Sequence, residues 1–141
     1  MDRPTLVTVK QTGSDQALWV KYDSYDSKKT DTYAIFSKKY VDDYLAYIAK
    51  FQDWSAKATA AGDAFDKDID KASSQMGFKL KFGFASGNAA HHYLVVTPCV
   101  LLMCGDSGLS FNDDNAAELV KLLQQLKDGK LVAEDVGQKY N

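Results

Sequence analysis

KKYVDDYLAYIAKFQDWSAKATAAGDAFDKDIDKAS, residues 38–73, is the stretch on which the fold turns. Within it Tyr40, Tyr44, Tyr47, Phe51 and Trp54 recur at spacings of 4, 3, 4 and 3. That spacing sets all five rings on one side of an α-helix. An aliphatic row, Val41, Leu45 and Ile48, runs beside them. Together the two rows cover about half the helix circumference, against an apolar stripe of about 100° on an ordinary surface helix. A helix this apolar lies deep in a core or serves two surfaces, its own sheet and a partner.

The helical pattern carries on to Ser73. One heptad position reads Val41, Ile48, Ser55, Gly62 and Ile69, the other Tyr44, Phe51, Ala58, Phe65 and Ala72. A continuous helix over this span would be about 54 Å long at 1.5 Å per residue, well beyond the ~30 Å of a small domain. It must therefore bend or break. Gly62, which costs about 1 kcal/mol relative to Ala inside a helix, is the expected joint.

On the N-terminal side, Leu6–Lys10, Ala17–Tyr22 and Thr32–Phe36 read as strands, with turn chemistry around Gly13 and a polar loop from Asp23 to Asp31. Ser37 is placed to cap the helix that follows. On the C-terminal side, Phe78, Leu80, Phe82 and Phe84 alternate with Lys79, Lys81, Gly83 and Ala85, a strand with one apolar face. Ser86-Gly87-Asn88 turns the chain into a partner strand, His92–Thr97, which Pro98 ends or bulges. A last helix begins at Ser110 or Asn112, buries Ala116, Leu119, Leu122, Leu123 and Leu126, and stops at Gly129. The tail from Lys130 to Asn141 is weakly helical at best. The expectation is a single α+β domain over residues 1–141. Its five-stranded, mostly antiparallel sheet runs βββ-α(α)-ββ-α. One face is covered by the long or broken helix and the C-terminal helix.

Charge narrows the partners. The chain holds 17 Lys and Arg against 19 Asp and Glu, and its only arginine is Arg3. Arginine's planar fork is the usual grip on phosphate and on base edges, and lysine does not replace it geometrically. The lysines are interspersed with aspartates, so nucleic-acid binding is not expected. The longest apolar run, Tyr93–Cys104, is interrupted and too short to span a bilayer, so no membrane partner is expected. No secretion signal opens the chain, which points to a soluble cytoplasmic protein with Cys99 and Cys104 as reduced, buried thiols.

Four patterns invite a chemical reading. Cys104-Gly105-Asp106-Ser107-Gly108 resembles the nucleophile segment of chymotrypsin-like serine proteases, over these five residues alone. Leu109 stands where a second glycine belongs, and no Asp sits suitably between histidine and serine, so a tight strand-to-helix turn is the better reading. Asp66, Asp68 and Asp70 copy the opening of a calcium loop, but Lys71 and Gly77 occupy the positions that require Gly and Glu. An exposed acidic row on a helix is expected there instead. His91 and His92 are adjacent and point to opposite faces of a strand, and their spacing from Cys99 and Cys104 matches no zinc arrangement. The two cysteines, five apart, lack the redox spacing. No metal, no cofactor and no catalytic residue is therefore expected.

The leading expectation is a non-enzymatic intracellular protein-binding module. Its partner-facing residues would be Tyr40, Tyr44, Tyr47, Phe51 and Trp54 of the helix, extended by Tyr22, Tyr25 and Tyr33 around the Asp/Lys loop. Tyrosine is enriched in interface cores. The chain's size, acidity and missing catalytic apparatus prompt the expectation of an inhibitor of a host or partner protein, of the kind bacteriophages encode against host defence, or of an immunity-like protein. Two alternatives stand beside it. One is a small hydrolase or ligand-binding enzyme using Ser107 and Asp106 with His91 or His92. The other is a structural subunit whose partner is a second copy of itself, as in a homodimer.

Overall fold

The computed structural model describes residues 3–12, 15–23, 33–100, 103–104 and 108–130. The fold is α+β with a five-stranded antiparallel sheet, as expected; among the described residues there are eight strands, the three N-terminal ones forming a separate antiparallel sheet instead of joining it. The first sheet is a meander, β1 (Arg3–Thr12), β2 (Asp15–Asp23) and β3 (Tyr33–Ser37), in the order β1-β2-β3. The second runs β4 (Lys67–Ser73), β5 (Lys79–Asn88), β6 (His91–Val100) and β7 (Met103–Cys104). Its fifth strand, β8 (Leu109–Phe111), also pairs with β6. Among the described residues the helices are α1 (Val41–Ala61) and α2 (Asp113–Lys127).

Helix α1 starts and stops for local reasons. The Ser37 side chain accepts from Lys39 N at 3.3 Å and opens a 3-10 turn over Lys38–Tyr40 that leads into the helix. Gly62 ends it in the left-handed conformation, φ 72°, which costs a glycine little and any residue with a Cβ more. There Asp63 N reaches back to Ala58 O at 2.9 Å.

The chain does not resume as helix, and this corrects the expectation for residues 63–73. Residues 63–66 form an exposed connection and Lys67–Ser73 is a strand. Asp66, Asp68 and Asp70 are exposed, but on the connection and β4 rather than on a helix. In β4 the pairing with β5 slips between Asp68 and Asp70, a bulge that breaks the two-residue period.

β5 and β6 pair over their full length, with Phe82 opposite Val96 and Phe84 opposite Leu94. Asn112 caps α2 by accepting from Asn115 N at 2.8 Å. Ala116, Leu119, Leu123 and Leu126 are buried, while Leu122 lies at the margin. The expected tail, 131–141, lies outside the described residues.

A single core joins both sheets and both helices. Its centre is a trio of rings, one from each layer. Phe36 of β3 meets Tyr44 of α1 edge-on at 5.3 Å, and Tyr44 stacks on Phe82 of β5 at 6.0 Å. Such pairs contribute about 0.5–1.5 kcal/mol each beyond burial.

The cysteines are not free thiols. The β6–β7 register sets Cys99 directly opposite Cys104, Cα–Cα 4.0 Å, and they form a disulfide. The antiparallel β6–β7 register, which reading the spacing alone did not reveal, brings the two side chains together. Disulfides persist in oxidising surroundings, so these residues lend no support to a cytoplasmic location. Among the described residues no helix is long and apolar enough to cross a membrane.

Candidate functional site

Seated in the core, the ring ladder divides. Tyr44 and Phe51 are fully buried, in line with Val41, Ile48, Ser55 and Ala58. They cannot meet a partner, which corrects the role expected of them. Tyr40, Tyr47 and Trp54 are half-buried on one margin of the helix, with Leu45 on the other. The apolar arc is wide because α1 packs on α2 as well as on strands of both sheets, β3, β4, β5 and β6.

The tyrosines do more than fill space. β4 is an edge strand, and unpaired edge carbonyls invite pairing with another chain. Tyr44 Oη donates to Ser73 O in a short bond and Tyr47 Oη reaches Lys71 O at 3.5 Å. Tyr44 Oη also accepts from Ser37 N at 3.1 Å, tying the end of β3 to the end of β4. Burial first, then the charges of Asp70 and Asp43, push the Tyr47 phenol above its ordinary pKa. Tyr22 and Tyr33 lie on β2 and β3 by their backbone, and Tyr25 lies outside the described residues.

At the C-terminal end of α1 the margin becomes a surface. Trp54 meets Phe84 edge-on at 5.9 Å, and Phe65 stacks on Phe84 at 4.7 Å with planes 22° apart. Phe84 stacks in turn on His92 at 5.3 Å. Lys50 Nζ and Lys67 Nζ lie over the Trp54 ring at 5.6 and 5.3 Å. Phe65 remains 38% exposed, backed by these rings and rimmed by charge.

The connection that carries Phe65 is held by a pair that sequence reading missed. Ser86 and His92 face each other across the β5–β6 hairpin, Ser86 Oγ to His92 Nδ1 2.7 Å. His92 Nε2 lies 3.1 Å from Ala89 O, which can only accept, so Nε2 carries the proton. In the neutral ring Nδ1 then accepts the Ser86 hydroxyl proton. Ser86 Oγ accepts from Phe65 N at 3.2 Å, and Ser86 N donates to Asp66 Oδ1 at 3.1 Å. The signal for this pair was available: Ser86 continues the inward parity of Phe82 and Phe84, and His92 that of Leu94 and Val96.

The same bonds bear on the enzymatic alternative. Both nitrogens of buried His92 are engaged, and His91 Nδ1 lies 2.8 Å from Asn88 Oδ1 on the exposed side. Ser107 and Asp106 lie outside the described residues. Gly108, which follows them, sits against Val95 and Thr97, about 10–17 Å along β6 from His92 at ~3.3 Å per residue. Among the described residues no three His, Cys, Asp or Glu side chains group to hold a metal. The other exposed large apolar side chains among them are Val100 and Met103, opposite each other beyond the disulfide, with Met103 79% exposed. No protein-family model, curated protein or solved structure matches the chain.

Proposed function

We propose that this protein is a non-enzymatic protein-binding module, and that its contact surface is the Trp54–Phe65 patch rather than the whole helix ladder. One observation carries the reading: an exposed Phe65 whose ring is fixed on Phe84 and whose backbone is clasped by Ser86. An anchor already ordered before contact loses little freedom on binding, and aromatic anchors inside a charged rim are typical of interface hot spots. Lys50, Lys67, Asp66 and the edge of Trp54 supply the rim. An inhibitor that occupies another protein's surface would act through such a patch.

The test compares the wild-type chain with Phe65→Asp, which touches a side chain already more than a third exposed and should leave the fold intact. Light scattering gives the self-association state, and affinity capture from the native host gives any heterologous partner. A partner or dimer held by the wild type and lost at least tenfold in the variant supports the proposal. Equal binding by both proteins, or no binding by the wild type in either experiment, refutes it.

A further inference from the structure

The outer face of the second sheet, away from the core, carries a trough of about 540 Å³. Asp68, Lys81, Gly83, Ala85, Val95 and Thr97 line it. Its floor is opened by Gly83, which lies in the middle of β5 with β4 on one side and β6 on the other, opposite Asp68 and Val95. A glycine there weakens a strand and often marks a place where a ligand comes close to the backbone. Here nothing else calls for it. Its φ is not in the left-handed region, and a Cβ would meet no atom nearer than 3.8 Å. The glycine leaves room in the trough rather than relieving a clash.

The polar groups around that room lack partners. Thr97 is 5% exposed and lines the trough, yet its hydroxyl makes no hydrogen bond among the described residues. Lys81, directly opposite Thr97 in the β5–β6 register, is half-buried and forms no ion pair among the described residues. Asp68 is likewise unpaired, with Oδ1 the nearest side-chain atom to the Gly83 hole. Asp68 and Lys81 are diagonal neighbours on this face, a relation that spaces residues about 7–8 Å apart.

A simple anion would meet Asp68 and Asp66, and a simple cation would meet Lys81 and Lys67, which also lines the trough. A compact molecule carrying both charges satisfies the two sides at once. We propose that this trough binds a free α-amino acid with an aliphatic side chain. The ammonium would sit at Asp68, the carboxylate at Lys81 and the Thr97 hydroxyl, and the side chain over Gly83, Ala85 and Val95. This goes beyond the protein-contact reading and uses a different face of the molecule.

The experiment is an amide-resolved NMR titration of the full chain with L-leucine, 4-methylpentanoate and 3-methylbutylamine. The last two keep the aliphatic chain and one charge each. Leucine should shift the Lys81, Gly83, Ala85 and Thr97 amides saturably, with Kd on the order of 1 mM for so open a site. Each half-ligand should bind at least about tenfold more weakly, since each loses a charge-assisted contact. Gly83→Val fills the hole and should abolish the shifts; Asp68→Asn, Lys81→Met and Thr97→Val should each weaken them. The last three keep the assay decisive if Gly83→Val fails to fold. No saturable shift with leucine, equal shifts from a half-ligand, or unchanged binding in these variants would overturn the proposal.

Discussion

Replacing Tyr44 by Phe removes one oxygen atom from the point where the two sheets are tied together. The ring stays, so its contacts with Phe36 and Phe82 stay and no cavity opens. What is lost is a donor to Ser73 O and an acceptor for Ser37 N, in a residue that is fully buried. Each such bond is worth about 1 kcal/mol net, so the loss should be about 2 kcal/mol. That is a large share of the 5–15 kcal/mol by which domains are stable. Urea unfolding followed by Trp19 and Trp54 fluorescence measures it. With m in the range of about 1–3 kcal/mol/M, the midpoint should fall by roughly 1 M at unchanged m. The melting temperature should drop by about 4–8 °C. A loss below about 0.5 kcal/mol would show that the hydroxyl bridges nothing, and that the ladder is only apolar filling.

Tyr47→Phe should flatten the alkaline side of the stability profile. The folded-state pKa of Tyr47 lies above the unfolded value of about 10, so its contribution is full below that pH and is lost as pH climbs through the folded value. Urea midpoints at pH 8, 10 and 11 should therefore converge between wild type and variant, and parallel curves would refute the assignment. Gly62→Ala should cost about 1 kcal/mol in thermal unfolding, because alanine must adopt φ 72°. Asn112→Ala removes the cap of α2 and should also cost about 1 kcal/mol, with faster hydrogen exchange at Asn115 N. Unchanged exchange there would mean that water caps the helix equally well.

The parts of the fold that could be read in advance are those with one wet and one dry face. β5 announced itself by Phe82 and Phe84 alternating with Lys81 and Gly83, and α2 by its leucines and Asn112. Ser37 opened the 3-10 turn that leads into α1 and Gly62 ended the helix, through backbone chemistry that any context respects. β4 was misread for the opposite reason. Lys-Asp-Ile-Asp-Lys-Ala-Ser is wet on both faces over most of its length, and the bulge at Ile69 resets its parity, so no two-residue period is left to find. Its fit to a heptad was coincidence carried by Phe65, Ile69 and Ala72. The site was less legible than the fold. Which ladder rings are buried depends on β4 lying beside α1, and Ser86 with His92 become a pair only once the hairpin register is known.

The tie at Tyr44 also bears on how the chain assembles. Every pairing within β1–β2–β3 and within β4–β5–β6 joins strands that follow each other in sequence. Each of these three-stranded units can therefore form from neighbouring segments alone, with little loop-closure entropy. The bond from Tyr44 to Ser73 spans 29 residues and has to wait until both sheets exist. Such a contact belongs to the docking of two preformed halves. Tyr44→Phe should accordingly speed unfolding and leave the folding rate nearly unchanged, a φ-value near zero, whereas truncations within the β5–β6 hairpin should slow folding. A φ-value near one at Tyr44 would mean that the helix organises the sheets rather than joining them.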